Sequence, residues 1–206
     1  MADKKLVYII DDEEAIRRSA AFMLKTSGYA VQAWASGIEF LREVRDLEMG
    51  CVLLDVRMPG MDGLTVQRTL VERGVAMPVI ILSGHGDISI AVQAMKAGAV
   101  DFLEKPFERR TLLSAIEAAY DRIQNAGTSA DRAAKAGILV AGLTAREQDV
   151  LRGLAQGLPN KTIAYDLGIS PRTVEVHRAN LMTKLDVRSL SEALRIAFAA
   201  GLGAGP

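Results

Sequence analysis

Apolar residues in the first 124 positions follow two alternating rhythms. Largely apolar runs at 6–10, 30–34, 51–54, 78–82 and 100–103, interrupted only by Gln32 and Asp101 and bounded by turn residues, predict strands. Between them, apolar positions recur every three or four residues, which predicts helices. Ile16, Ala20, Met23 and Leu24 mark the first, over 14–27, with Gly28 as its left-handed end. Ser36 caps the next, which carries Ile38, Leu41 and Val44. A third spans 64–72 and stops before Gly74, and a fourth runs from an Asp87 cap to Lys96. The last covers 108–124, with Leu112, Leu113, Ile116 and Tyr120 as its apolar stripe. Five strand–helix repeats predict an α/β fold, a doubly wound five-stranded parallel sheet. Each parallel crossover is right-handed and lays a helix over one face of the sheet.

After residue 142 the strand rhythm disappears. Thr144 with Glu147 is a capping box that opens a helix through Val150, Leu151 and Leu154 to about residue 156. A short helix at 160–167 ends at Gly168. Ser170 followed by Pro171 opens a third, to Lys184, with Val174, His177, Leu181 and Leu185 on one face. Ser189 and Glu192 open a fourth, carrying Ala193, Leu194, Ala197 and Phe198. Two helices joined by a short turn at a glycine form the helix-turn-helix pattern, here inside an all-α four-helix domain. Residues 125–142, rich in Ala and Gly, read as a linker. The organisation expected is therefore residues 1–124, a linker at 125–142, and residues 143–206.

Composition narrows the function classes. Half of the 206 residues are hydrophobic, enough for two cores, and no apolar run nears the ~20 residues that span a bilayer. The single cysteine, Cys51, falls in a predicted core strand, so an intramolecular disulfide is excluded and a cytoplasmic setting is expected. One cysteine and two histidines argue against a Cys/His zinc site. Residues 1–124 hold 15 Lys and Arg against 18 Asp and Glu, whereas residues 143–206 hold eight against six. The sign of that asymmetry fits an acidic, metal-binding first half and a mildly basic second half.

The candidate chemistry lies at strand ends. In a parallel α/β sheet ligands bind at the carboxyl ends of the strands. Asp11 and Asp12, Asp55, Ser83 and Lys105 all follow apolar runs and converge on that edge. Each has an ordinary explanation by itself: a helix cap, a turn acid, a turn hydroxyl, a snorkelling lysine. Together they form three carboxylates that a hard cation such as Mg²⁺ would relieve, a fixed positive charge, and a hydroxyl donor. That set suits a phosphoryl group held on an oxygen nucleophile.

Residues 6–120 resemble the flavodoxin-like receiver domain of two-component response regulators. The resemblance rests on Asp11-Asp12, the strand ending in Asp55, Met58-Pro59-Gly60-Met61-Asp62-Gly63, Ser83-Gly84-His85-Gly86, residues 94–99 and Asp101-Phe102-Leu103-Glu104-Lys105-Pro106. It implies that Asp55 accepts a phosphoryl group from a cognate sensor histidine kinase. It implies Mg²⁺ held by Asp11, Asp12, Asp55 and the Arg57 backbone carbonyl. It implies Lys105 paired with the phosphoryl oxygens, Ser83 as switch hydroxyl and Phe102 as switch aromatic, and a cis bond before Pro106. Many relatives carry Tyr where Phe102 stands, so a hydroxyl is missing here. Arg57 and Gly84 lie where the phosphoryl lifetime is tuned. The implied dimer face is that of the Asp87–Lys96 helix, the Phe102 strand and the last helix.

Residues 143–202 resemble the DNA-binding domain of LuxR/FixJ-type regulators, and the segments 157–164 and 169–180 are nearest to the FixJ type. The resemblance implies double-stranded DNA as partner, with the third helix in the major groove. By chemistry, Arg178 suits guanine, Glu175 cytosine and Val176 a thymine methyl, with Arg172, Thr173, Ala179, Asn180 and Thr183 on the same non-core face. Lys161, Thr162, Thr173 and Lys184 suit phosphates. His177 faces inward. The mild charge calls for a dimer on two half-sites, with the fourth helix as a dimer contact on DNA.

The reading is a phosphorylation-controlled transcription factor, a homodimer when phosphorylated or DNA-bound, with RNA polymerase as a further partner. It is not a turnover enzyme, though slow autodephosphorylation is expected. A metal-dependent aspartyl-phosphate phosphatase would use the same Asp, Mg²⁺ and Lys. It would also need a second acid two residues after Asp55, where Arg57 stands. A DNA-binding protein with a degenerate receiver is opposed by the intact Asp12, Asp55 and Lys105.

Overall fold

The computed structural model describes residues 5–84, 88–124 and 129–203. The Asp87 cap expected for the fourth helix, His85 and Gly86 of the fourth strand-end motif, and residues 125–128 of the expected linker lie outside them. The chain divides into two compact units, residues 1–86 with 97–126, and residues 87–96 with 127–206.

Five strands, β1 (Leu6–Ile10), β2 (Ala30–Trp34), β3 (Cys51–Asp55), β4 (Val79–Ser83) and β5 (Asp101–Glu104), form one parallel sheet in the order β2-β1-β3-β4-β5. In chain order they alternate with α1 (Glu14–Lys25), α2 (Gly37–Glu43), α3 (Gly63–Glu72) and α4 (Ile88–Lys96), and α5 (Arg109–Gln124) follows β5. The strand order reverses between β1 and β3. That switch point is where an open α/β sheet opens a crevice at its carboxyl edge. β3 and β4 are buried along their whole length, as continuous apolar runs in a sheet covered on both faces must be. Val7, Ile9, Leu53, Ile80 and Leu82 pack with Leu24 of α1 and Leu112 and Ile116 of α5.

Local chemistry agrees with the elements. Ser36 accepts the Ile38 amide and Asp62 the Thr65 amide, each closing a helix start. Gly63 opens α3 directly against β3. A Cβ there would lie 2.1 Å from the Asp55 carbonyl oxygen, so only glycine lets α3 approach so closely. β4 and β5 each end one residue later than the apolar runs suggest, at Ser83 and Glu104. The ladder continues for as long as backbone pairs are available, whatever the side-chain polarity.

In the second unit, α7 (Ala145–Ala155), α8 (Asn160–Leu167), α9 (Pro171–Lys184) and α10 (Leu190–Ala199) follow α6 (Ser129–Ala141). The helix α6 occupies most of the stretch expected as a linker and packs on α10, with Ala136 buried. High alanine content favours that helix, and Gly137 is exposed. Val150, Leu151 and Leu154 of α7, Ile163 of α8, Val174 and Leu181 of α9, and Leu194 of α10 are buried. Gly168 ends α8 with φ +65°, a left-handed turn that glycine takes without penalty. The Thr144–Glu147 capping box is complete. At α10 Ser189 accepts the Glu192 amide, but Glu192 takes the Arg188 amide rather than that of Ser189. No described helix is long and apolar enough to cross a membrane.

Candidate functional site

The sheet register brings the strand-end residues together. Asp55 is the last residue of β3 and pairs with Leu82, so Ser83 stands one step further on the neighbouring strand. Ser83 pairs with Glu104, and the Lys105 amide donates to the Ser83 carbonyl at 2.7 Å. Asp11 follows β1 on the other side of β3. Its amide donates to the Trp34 carbonyl, which anchors the acid at the switch point.

Charge is concentrated there and largely dry. Asp11 and Asp55 are 0 % and 4 % exposed, whereas Asp12 is open to solvent. One oxygen of each of the three carboxylates lies within 4.8 Å of the others. The Lys105 ammonium donates to Asp11 Oδ2 and stands 2.6 Å from that oxygen and from Asp55 Oδ1. Burial pushes the Asp55 carboxyl above its ordinary range and the neighbouring Asp11 charge adds to that. Lys105 and the Arg57 backbone amide pull in the opposite direction. Burial opposes the charge on Lys105, but its bonds to Asp11 and Asp55 outweigh burial and raise it overall.

Three carboxylates against one ammonium leave a net negative pocket with hard oxygen donors only. This donor set fits a divalent cation of the Mg²⁺ type and is unsuited to soft metals. Ser83 is buried and Phe102, at the centre of β5, is partly exposed. The Lys105–Pro106 bond is cis. Arg57 is exposed.

Two residues at this edge escape the strand-end reading. Arg17 of α1 donates to the Asp11 carbonyl at 2.7 Å, and Glu13 approaches Lys105 at 4.0 Å. Glu13 directly follows the acidic pair and was legible on that ground. Arg17 carries no signal beyond lying one helical turn after Glu13.

In the second unit the exposed face of α9 is formed by Arg172, Glu175, Val176, Ala179 and Asn180, with Val176 half exposed. Arg172 lies 3.4 Å from Glu175. Thr173 accepts or donates a bond to Ser170 at the helix start, and its amide donates to the Ser170 hydroxyl. Lys161 is exposed and Thr162 partly so, both in the first turn of α8. His177 is partly buried.

Two basic residues of α9 have internal partners. Arg178 is half-buried and donates to Asn160 Oδ1 at 2.9 Å, and burial lowers its pKa. It stands four residues after Val174 and three before Leu181. That spacing sets it on the flank of the buried face rather than on the open one. Lys184 donates to Glu147 Oε2 at 2.8 Å. The Glu147 carboxylate is buried and also accepts the Thr144 amide.

Comparison with known proteins matches two successive stretches of the chain. Residues 7–117 match the response regulator receiver domain and residues 141–197 match the bacterial regulatory proteins of the luxR family. The chain is 49% identical over 202 residues to the transcriptional regulatory protein FixJ of Azorhizobium caulinodans, covering 98% of this chain and 96% of that one. It is 47% identical over 197 residues to FixJ of Rhizobium meliloti, covering 96% and 97%. Among solved structures, full-length FixJ from B. japonicum is similar at 45% identity with a TM-score of 0.58, covering 96% of this chain and 98% of that one. The acidic pocket at the sheet's switch point, the helix-turn-helix unit and full-length similarity lead to one assignment. The chain belongs to the FixJ-type response regulators, transcription regulators that join a receiver domain to a LuxR-type DNA-binding domain.

Proposed function

We propose that Asp55 is the phosphoacceptor of this regulator and that its phosphorylation by a cognate sensor histidine kinase promotes dimerisation and DNA binding in the cytoplasm. The observation that carries the reading is a nearly buried carboxylate at a strand end, 2.6 Å from Lys105 and flanked by the carboxylates of Asp11 and Asp12. An oxygen of Asp55 attacks the phosphorus of the donor phosphohistidine. The Oδ–P bond forms as the N–P bond breaks, and the histidine nitrogen leaves with the electron pair. Lys105 holds a positive charge where the phosphoryl oxygens gather negative charge. Asp11, Asp12, Asp55 and the Arg57 carbonyl would hold Mg²⁺, which supplies charge neutralisation of the phosphoryl group when bound.

Ser83 then donates its hydroxyl to a phosphoryl oxygen, and Phe102 follows by turning inward. The receivers pair through the face that includes β5 and α5. On DNA the exposed α9 residues Arg172, Glu175, Val176 and Ala179 read base edges. Lys161 and Thr162, in the first turn of α8, contact phosphates, and α10 supports the dimer there. RNA polymerase is recruited at the bound site. Hydrolysis of the acyl phosphate is slow and serves to reset the switch rather than to turn over a substrate. The boundaries that fit this division of labour are a receiver over residues 1–124 and a DNA-binding domain over residues 143–206, with residues 125–142 joining them.

The test is phosphate uptake from a small phosphodonor in Mg²⁺. Wild-type protein takes up one phosphoryl group per chain, and Asp55→Asn takes up none. Undiminished uptake by Asp55→Asn would falsify the assignment.

A further inference from the structure

We propose that Arg178 is a positioning residue for DNA reading: its bond to Asn160 sets the angle between α9 and α8, and its guanidinium contacts neither base nor phosphate. The inference rests on the reading that the exposed α9 face lies in the major groove. Three observations support it. The Arg178 guanidinium donates to Asn160 Oδ1 at 2.9 Å, joining the middle of α9 to the first residue of α8. Both side chains are partly buried, so the bond works in a drier setting than a surface contact. Arg178 also lies on the flank of the buried stripe of Val174 and Leu181, turned from the strip of Arg172, Val176, Ala179 and Thr183. A guanidinium spent on Asn160 from that position has the wrong direction for the groove floor.

The consequence is specific. Asn160 opens α8, whose first turn also carries Lys161 and Thr162, the residues assigned to phosphates. The brace therefore links the phosphate-gripping end of α8 to the base-reading helix. Its loss changes how well every base contact is made together, and changes no single base preference.

The experiment is quantitative DNA binding by the full-length phosphorylated chain, wild type against Arg178→Met, Asn160→Ala and the double variant. Circular dichroism selects a temperature at which all four remain folded, and affinities are expressed per folded molecule. A merely structural role would then leave affinity unchanged. Sites are first selected from random DNA by the wild type, and the base-preference profile and salt dependence are measured for each variant.

The expected result is roughly a tenfold loss for each single variant, the scale of one hydrogen bond to a charged group. The double variant is no weaker than either single. The base-preference profile is unchanged in shape, and the salt slope is unchanged. A relaxed preference at one base pair, by about fivefold to a hundredfold, makes Arg178 a base reader and overturns the proposal. A salt slope reduced by about one per subunit makes it a phosphate contact and overturns it as well. Additive losses, or unchanged affinity in the single variants, remove the brace as the cause. A wild-type chain that selects no sequence overturns the DNA-reading assignment itself and takes this inference with it.

Discussion

Asp55 is held between opposing influences. Burial and the Asp11 charge favour its neutral form, and Lys105 favours its ionised form. With one ammonium among three carboxylates, the pocket is incompletely neutralised, and a divalent cation that binds the folded pocket at free concentration c would stabilise the fold by RT ln(1 + c/Kd). At 100 times the dissociation constant that stabilisation is about 2.7 kcal/mol. Adding Mg²⁺ therefore raises the melting temperature of the wild type, and Asp12→Asn reduces the rise at equal Mg²⁺. Thermal shift measured over a Mg²⁺ titration checks this; identical titrations for both proteins would remove Asp12 from the metal site. The strand-end acids and Ser83 were legible because each follows an apolar run at a strand end, and Lys105 because it stands just beyond Glu104, which ends the last run. Arg17 was not, because its contact is with the Asp11 backbone carbonyl and depends on how α1 leaves the sheet.

At the scale of elements, helix starts were the most legible features. Ser36, Thr144, Ser170 and Ser189, each read as a cap, all accept backbone amides at the helix starts they begin, and Asp62, read only as part of a loop, does the same for α3. α6 was less legible, since Ala content favours helix while Gly127 before it and Gly137 within it argue for a break. Arg178 shows the limit of sorting a helix into two faces, because residues at the border bond to neighbouring helices. The Glu147 carboxylate combines a cap and a brace. It accepts from Lys184 and from the Thr144 amide, and these bonds, foremost that from Lys184, hold its pKa below the ordinary glutamate range.

Two predictions belong to that carboxylate. Thr144→Ala removes the N-cap and costs about 1 kcal/mol, read from urea unfolding. The second concerns acid. A depressed carboxylate pKa contributes stability that is fully present above the unfolded value, about 4.3, and lost as pH falls through the folded one. The second unit therefore loses part of its stability as the solution is taken below about pH 4. Lys184→Met removes the principal cause, so the variant is less stable near neutrality and its stability falls less steeply in acid. Thermal melts between pH 3 and 7 check both statements. A variant as acid-sensitive as the wild type would show that Lys184 is not the cause.

For the whole molecule, the two units separate a chemical event from its output. The sheet edge supplies the carboxylate, and the second unit presents the exposed α9 face. The mild charge of residues 143–206 gives each copy few phosphate contacts, so useful affinity calls for two copies on two half-sites. The proposed pairing of receivers predicts that phosphorylation raises the apparent mass of the chain toward twice its 22.2 kDa in size-exclusion chromatography. A phosphorylated chain that stays monomeric while gaining DNA affinity would show that pairing of receivers is not the step that activates it. The five strand–helix repeats and the helix-turn-helix pattern were both readable from apolar rhythm and turn residues, whereas the strand order β2-β1-β3-β4-β5 was not, because rhythm does not say which strands are neighbours. How the first event reaches the second was not readable either, because a link between units depends on surfaces that carry no periodic signal.

The most direct test of the account is the affinity of the full-length chain for its selected DNA site in Mg²⁺, with and without a small phosphodonor, for wild type and Asp55→Asn. The account predicts that the phosphodonor tightens binding by the wild type and leaves Asp55→Asn unchanged. Equal tightening in both proteins, or none in a wild type shown to carry the phosphoryl group, would contradict it.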